Sequence, residues 1–245
     1  MRKIIAVSAG LFLSAFLVTA TAQVKDKNKK DKDDKDKIVG SGNVVTRDVN
    51  IQSFDELQVS GVFELKLSQG NKEELKIEAE DNLQDLFEVK NEGSKLIVKM
   101  KKDSDFNSKK KRVVYITFKK LKNLDLSMVG STGSDDKLSF DDLRIDNNSV
   151  GSVNFDLTAK KLDIDNKSVG NFTLSGTAEN AVVKHNGVGS FKASKLVVQT
   201  MDIEAEGVGS AEVNAAKELK VKDSFLGRVK NVGSAPLKRM NKVVI

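Results

Sequence analysis

Val150-Gly151-Ser152-Val153, Val169-Gly170-Asn171-Phe172, Val188-Gly189-Ser190-Phe191 and Val208-Gly209-Ser210-Ala211 are one motif written four times. Val129-Gly130 precedes the series and Leu226-Gly227 follows it. The six glycines Gly130, Gly151, Gly170, Gly189, Gly209 and Gly227 are separated by 21, 19, 19, 20 and 18 residues. A period near 20 with a fixed local pattern predicts a solenoid in which each repeat is one coil stacked on the last. Such a coil is a scaffold, so the period by itself assigns no chemistry.

Aligned on the glycine, the repeats fall into columns. Six residues before it stand Leu124, Ile145, Ile164, Val183, Ile203 and Val221. Eight before it, from the second repeat on, stand Leu143, Leu162, Ala181, Met201 and Leu219. Two after it come Val153, Phe172, Phe191, Ala211 and Val229. Steps of two are strand periodicity, so alternate side chains point to an interior and stack from coil to coil in a parallel sheet. The glycine lets the chain bend between two short strands, with positive φ and close backbone approach. Neither a P-loop nor a strand–GxGxxG–helix unit surrounds it, which argues against a phosphate cradle.

The column four before the glycine is different: Leu126, Asn147, Asn166, His185, Ala205, Asp223. Asn147, Asn166 and His185 share inward parity, and stacked amides satisfy one another by hydrogen bonding. A metal site needs several converging ligands; the chain has one His and no Cys, and no calcium-binding G-G-x-G-x-D series. No cofactor is expected.

The N-terminus reads as export machinery. Arg2 and Lys3 precede the apolar stretch Ile4–Val18, and Ala20-Thr21-Ala22 offers a small-x-small cleavage pattern, so residues 1–22 read as a signal peptide cut after Ala22. No transmembrane segment is expected after its removal. Residues 23–38 are a Lys/Asp-rich stretch that buries too little apolar surface to order, a disordered tether. The folded domain is expected over 39–245.

The formal net charge is +6, but it is unevenly spread. From Lys99 to Lys122 the chain carries ten basic residues against Asp103 and Asp105, an excess of +8. Lys101, Lys102, Lys109, Lys110, Lys111 and Arg112 are candidate contacts for a polyanion, in an exported protein an acidic glycan or envelope polymer. The alternative is a charged loop with two solvated strand faces. Nucleic acid is a poor partner, because the chain is read as exported and has one Tyr and no Trp for base stacking.

The N-terminal part, Gly40 to Phe118, is strand-rich and less regular. Phe54 to Leu67 alternates and carries Gly61 between two strands, with Phe63 two residues beyond it, as in the repeats. Asp81–Phe87 reads as a short helical turn, and Phe87–Met100 as a hairpin turning at Asn91-Glu92-Gly93-Ser94. Both ends of the solenoid need caps against end-to-end pairing.

The stretch Gly40-Ser-Gly-Asn-Val-Val-Thr46-Arg47-Asp-Val49, the stretch Phe54-Asp-Glu-Leu-Gln-Val-Ser-Gly61-Val-Phe-Glu-Leu-Lys-Leu-Ser-Gln-Gly70 and the repeated Val-Gly-Ser units resemble the DUF2807 family. Its members are described as auto-transporter adhesins with a head GIN domain. The resemblance covers roughly residues 40–240. It implies an all-β fold, a right-handed, single-stranded parallel β-helix, exported in Gram-negative bacteria, and it carries over no catalytic or binding residue. Where many members have Ser-Gly before the repeated turn, this chain has Val-Gly.

Three functional classes follow. One is a non-enzymatic exported scaffold, adhesin-like, binding an envelope polymer or another surface protein. A second is a polysaccharide-active β-helix enzyme using carboxylates such as Asp141, Asp142 and Asp146, or Asp163 and Asp165, which have no partner His. A third is an envelope module binding acidic polymer through its basic segment.

Overall fold

The apolar columns become strands whose inward positions are sealed from water. The computed structural model describes residues 37–101, 105–224 and 226–240. The signal-peptide reading, all of the tether before Lys37, and Lys102 lie outside the described residues. The N-terminal strands are β1 (Ile38–Val39), β2 (Val44–Val49), β3 (Glu56–Val62), β4 (Glu64–Gln69), β5 (Glu74–Glu80), β6 (Phe87–Glu92), β7 (Lys95–Met100), β8 (Phe106–Asn107) and β9 (Val113–Phe118). The stacked coils follow as β10 (Asn123–Val129), β11 (Thr132–Ser134), β12 (Leu138–Asn147), β13 (Val153–Asn166), β14 (Val169–His185), β15 (Val188–Ala205), β16 (Val208–Asp223), β17 (Gly227–Asn231) and β18 (Leu237–Arg239).

From β10 onward every described pairing is parallel, each strand bonded to the coil before and the coil after: a β-solenoid. Register follows the sequence columns. Leu124 pairs with Ile145, Ile145 with Ile164, Ile164 with Val183, Val183 with Ile203 and Ile203 with Val221. Val153, Phe172, Phe191, Ala211 and Val229 form a second ladder, with the Phe172 and Phe191 rings stacked at 5.5 Å. One buried cluster runs from Phe54 to Ala235, so the core is continuous along the stack.

The N-terminal end is closed differently. β3 and β4 make the first coil, pairing in parallel with β10 and β11 on one side and with β7 and β9 on the other. Beyond these the sheet turns antiparallel, β6 on β7, and β5 on β9 with β2 on β5. The predicted hairpin is the β6–β7 pair, with Gly93 at φ 60°, and the helical turn is a 3-10 helix over Asp81–Leu86. Antiparallel strands end the parallel stacking and act as the cap. β1 pairs with β8 and starts at Ile38, the last residue of the stretch read as tether. Glu80, only 2% exposed, accepts from the Gly42 amide at 2.7 Å and from the Ser108 hydroxyl, and so ties the N-terminal segment to the cap.

Two glycines depart from the predicted column. Val62 pairs with Val129, so Phe63, not Gly61, stands opposite Gly130. Gly61 lies two residues earlier, at φ 138°, where a Cβ would meet the side chains of Met100 and Phe63 at 2.9 Å. The first coil tolerates Phe63 at the column position because the cap, not another coil, lies beneath it, and the ring packs on Phe87 at 5.5 Å. Gly227 is in register with Gly209 but is not among the positive-φ glycines.

Candidate functional site

The polar column lies inside the solenoid. Asn147 Nδ2 donates to Asn166 Oδ1 at 2.7 Å, and the Ser168 hydroxyl donates to the same oxygen at 2.8 Å. Asn166 Nδ2 therefore faces His185 Nδ1, 2.8 Å away, and an amide nitrogen only donates, so Nδ1 accepts and the ring proton sits on Nε2. Nε2 has no partner in bonding geometry, and the ring lies against Phe191 at 5.8 Å. All three side chains are buried. The column is a hydrogen-bonded network inside the solenoid.

Burial holds the His185 pKa below the ordinary histidine value, and the Gly189 backbone offsets this only in part. In the unfolded chain the ring titrates near its ordinary value of about 6.5. Below that pH the unfolded chain takes up a proton that the native state refuses. This contribution to stability is therefore full above about pH 6.5 and is lost as pH falls toward the lowered native value, at up to about 1.4 kcal/mol per pH unit. His185→Asn continues the amide ladder and removes the titration. Its melting temperature is expected to match the parent at pH 7.5 and to fall less steeply between pH 6.5 and 5. An equally steep fall in the variant would assign the acid sensitivity to other groups.

The outward carboxylates are held by bases rather than gathered into a reaction centre. Arg144 bridges Asp146 at 2.9 Å and Asp163 at 3.0 Å; Lys160 meets Asp141 at 2.6 Å and Lys167 meets Asp165 at 2.9 Å. Asp141 and Asp142 lie within β12. Asp125 has its pKa raised, by burial first and then by the charge of Asp146 on the next coil. Among the described residues no three His, Cys, Asp or Glu side chains are grouped as a metal site.

Four of the ten bases of the basic segment are answered by carboxylates on neighbouring strands among the described residues. Lys99 meets Glu88 at 3.0 Å, Lys111 meets Glu64 at 2.8 Å, Lys119 meets Glu73 at 3.1 Å and Lys122 meets Asp55 at 2.7 Å. Arg112 turns back on the fold: Nε donates to the Val62 carbonyl at 3.0 Å, Nη1 to that of Lys110 at 3.2 Å, and the guanidinium lies 4.5 Å over the Phe106 ring. Burial pulls its pKa down, against the opposing pull of Glu80. Of the six candidate contacts, Lys101, Lys109 and Lys110 are exposed with no carboxylate partner among the described residues.

A further surface feature stands at the bend itself. The residue before each repeat glycine points outward, and it is aliphatic in every coil. Val129, Val150, Val169, Val188 and Val208 are each 50–51% exposed, with Val62 in register below and Leu226 above. They form one unbroken apolar ridge up the solenoid. The sequence held the signal: one residue before the glycine has the opposite parity to the inward columns at four, six and eight.

The family model described as "Putative auto-transporter adhesin, head GIN domain" (DUF2807) matches residues 53–235. No curated protein matches the chain. A crystal structure of a putative adhesin from Bacteroides fragilis NCTC 9343 is similar at 26% identity and TM-score 0.72, covering 83% of this chain and 100% of that one. Two others share the fold: a putative adhesin from Parabacteroides merdae ATCC 43184, at 19% identity and TM-score 0.54 over 84% of this chain and 100% of that one, and a putative lipid binding protein from Parabacteroides distasonis ATCC 8503, at 18% and 0.54 over the same shares.

Proposed function

Since the chain belongs to the DUF2807 family of auto-transporter adhesins with a head GIN domain, we infer that it is an exported, non-catalytic adhesive scaffold that holds a surface polymer or protein on its outer faces. The observation that carries this reading is the outer surface itself. Its carboxylates are spread along the coils and pinned by lysines and arginines, a surface suited to extended contact and not to acid–base chemistry. On this reading residues 1–22 are the export signal, cut after Ala22, residues 23–38 a tether, and residues 39–245 the binding solenoid. Acidic polymer would be met by Lys101, Lys109 and Lys110, which have no carboxylate partner among the described residues.

The test is retention of the mature chain on immobilised acidic and neutral polysaccharides, with products followed in solution. Retention without released oligosaccharide is expected. Changing Lys101, Lys109 and Lys110 together to Ser is expected to weaken acidic-polymer binding several-fold at low salt and to leave neutral-polymer binding unchanged. Released fragments would overturn the non-catalytic reading. Acidic-polymer binding indifferent to both salt and the triple change would remove the basic loop from it.

A further inference from the structure

The apolar ridge is at odds with the rest of the outer surface. Five residues before the glycine, another outward column reads Asp125, Asp146, Asp165, Lys184, Glu204, Lys222, charged in each of the six glycine repeats. One residue before the glycine, every coil instead leaves an aliphatic side chain half in water. Seven rungs at the interstrand spacing of about 4.8 Å make a straight strip about 29 Å long. The strip is also nearly free of loose charge. Past the glycine stand Ser131, Ser152, Asn171, Ser190 and Ser210. On the other side Lys167 is tied to Asp165 at 2.9 Å and Glu206 to Lys222 at 3.3 Å.

We propose that this ridge is the interface of a homodimer, two copies packing ridge to ridge and antiparallel about a two-fold axis that crosses the ridge at Val169. Area is the first argument. A strip of this length and about 20 Å width, three outward columns, offers about 600 Å², the low end of what one partner of a standard interface buries. A contiguous apolar strip of that kind exceeds scattered surface hydrophobes and marks an interaction site. Periodicity is the second. A row of side chains every 4.8 Å or so is matched along its whole length by another row of the same spacing, and a second copy supplies it. Charge is the third. The column past the glycine ends at Arg228, in register with Ser210, and begins at Glu64, which Lys111 holds at 2.8 Å. Parallel packing would set Arg228 against its own copy, whereas an antiparallel two-fold separates the two Arg228 side chains and lays each at the Glu64–Lys111 end of the other copy. Val169 is the middle rung, with three ridge residues on either side, so it meets itself across the axis. The inference does not rest on the adhesive reading: a dimer forms or fails whatever polymer is bound.

Sedimentation velocity of the mature chain from about 1 to 200 µM, the range in which an interface of this size and polarity dissociates, is the test. A concentration-dependent dimer is expected. Val150→Lys with Val188→Lys is expected to weaken it at least tenfold while melting within a few degrees of the parent. The absence of native cysteine allows a second measurement. With copper–phenanthroline as electron acceptor, Val169→Cys is expected to form an interchain disulfide. Val129→Cys alone is not expected to, but mixed with Val208→Cys it is. A monomer throughout the range, a dimer untouched by the lysines, or crosslinking of Val129→Cys to itself would overturn the proposal. A monomer whose polymer binding is lost in the double-lysine variant would assign the ridge to that polymer instead.

Discussion

Gly170→Val is expected to destabilise the chain by about 3 kcal/mol or more. Two costs act together. The backbone at Gly170 has φ 141°, a region closed to β-branched residues. A Cβ there would also overlap the carbonyl oxygen of Gly151 on the coil below. That neighbour is backbone, held in the parallel ladder, so it cannot swing aside as a side chain would. The same contact recurs up the stack: Gly151 onto the Gly130 carbonyl, Gly189 onto Gly170, Gly209 onto Gly189. Gly42 and Gly93 separate the two costs. Each has positive φ, 82° and 60°, but a Cβ meets nothing within 4 Å. Gly42→Ala and Gly93→Ala are therefore expected to lose only the strain, about 1 kcal/mol each. Denaturant unfolding of the three variants measures the difference. Equal losses would show that coil-to-coil crowding contributes nothing.

Spacing alone made much of this legible. The intervals of 20 and 18 residues after Gly189 and Gly209 reappear as irregularities in the ladder. β14 and β15 slip register between Thr173 and Ser175, where the longer coil carries an extra residue. β15 and β16 slip at Ala193/Val197, where the shorter coil omits residues, and again at Val198/Thr200, where it regains one. Inward columns before the glycine stay in register throughout, because they carry the core. Gly61 departs from the column because the first coil carries Phe63 at the column position, where the ring packs on Phe87 of the cap. The basic segment is less free than its charge along the chain indicates: Asp55, Glu64 and Glu73 come beside it from strands far away in sequence, and Glu88 from across the β6–β7 hairpin. Local sequence carries parity and period; it does not carry which distant strand lies next door. The exposed ridge shows the converse, since parity alone put those valines outside.

Asn166→Leu is the second large effect, expected at about 3–5 kcal/mol although leucine branches at the same carbon. Asn166 is the junction of the buried column. Its oxygen accepts from Asn147 and Ser168, and its nitrogen donates to His185. Leucine is bulkier and strands three partners that are themselves buried. A buried polar group left without its hydrogen bond costs about 1–3 kcal/mol, whereas removing both partners together comes close to neutral. The same column is apolar at Leu126 below and Ala205 above, so the coil geometry accepts an apolar rung. Asn147→Leu, Asn166→Leu and His185→Leu combined are therefore expected to recover most of what Asn166→Leu alone loses. Denaturant unfolding at pH 7.5, where His185 is neutral in both states, is the measurement. If the single change is harmless, or the triple variant loses the sum of three separate penalties, the column is not one coupled network.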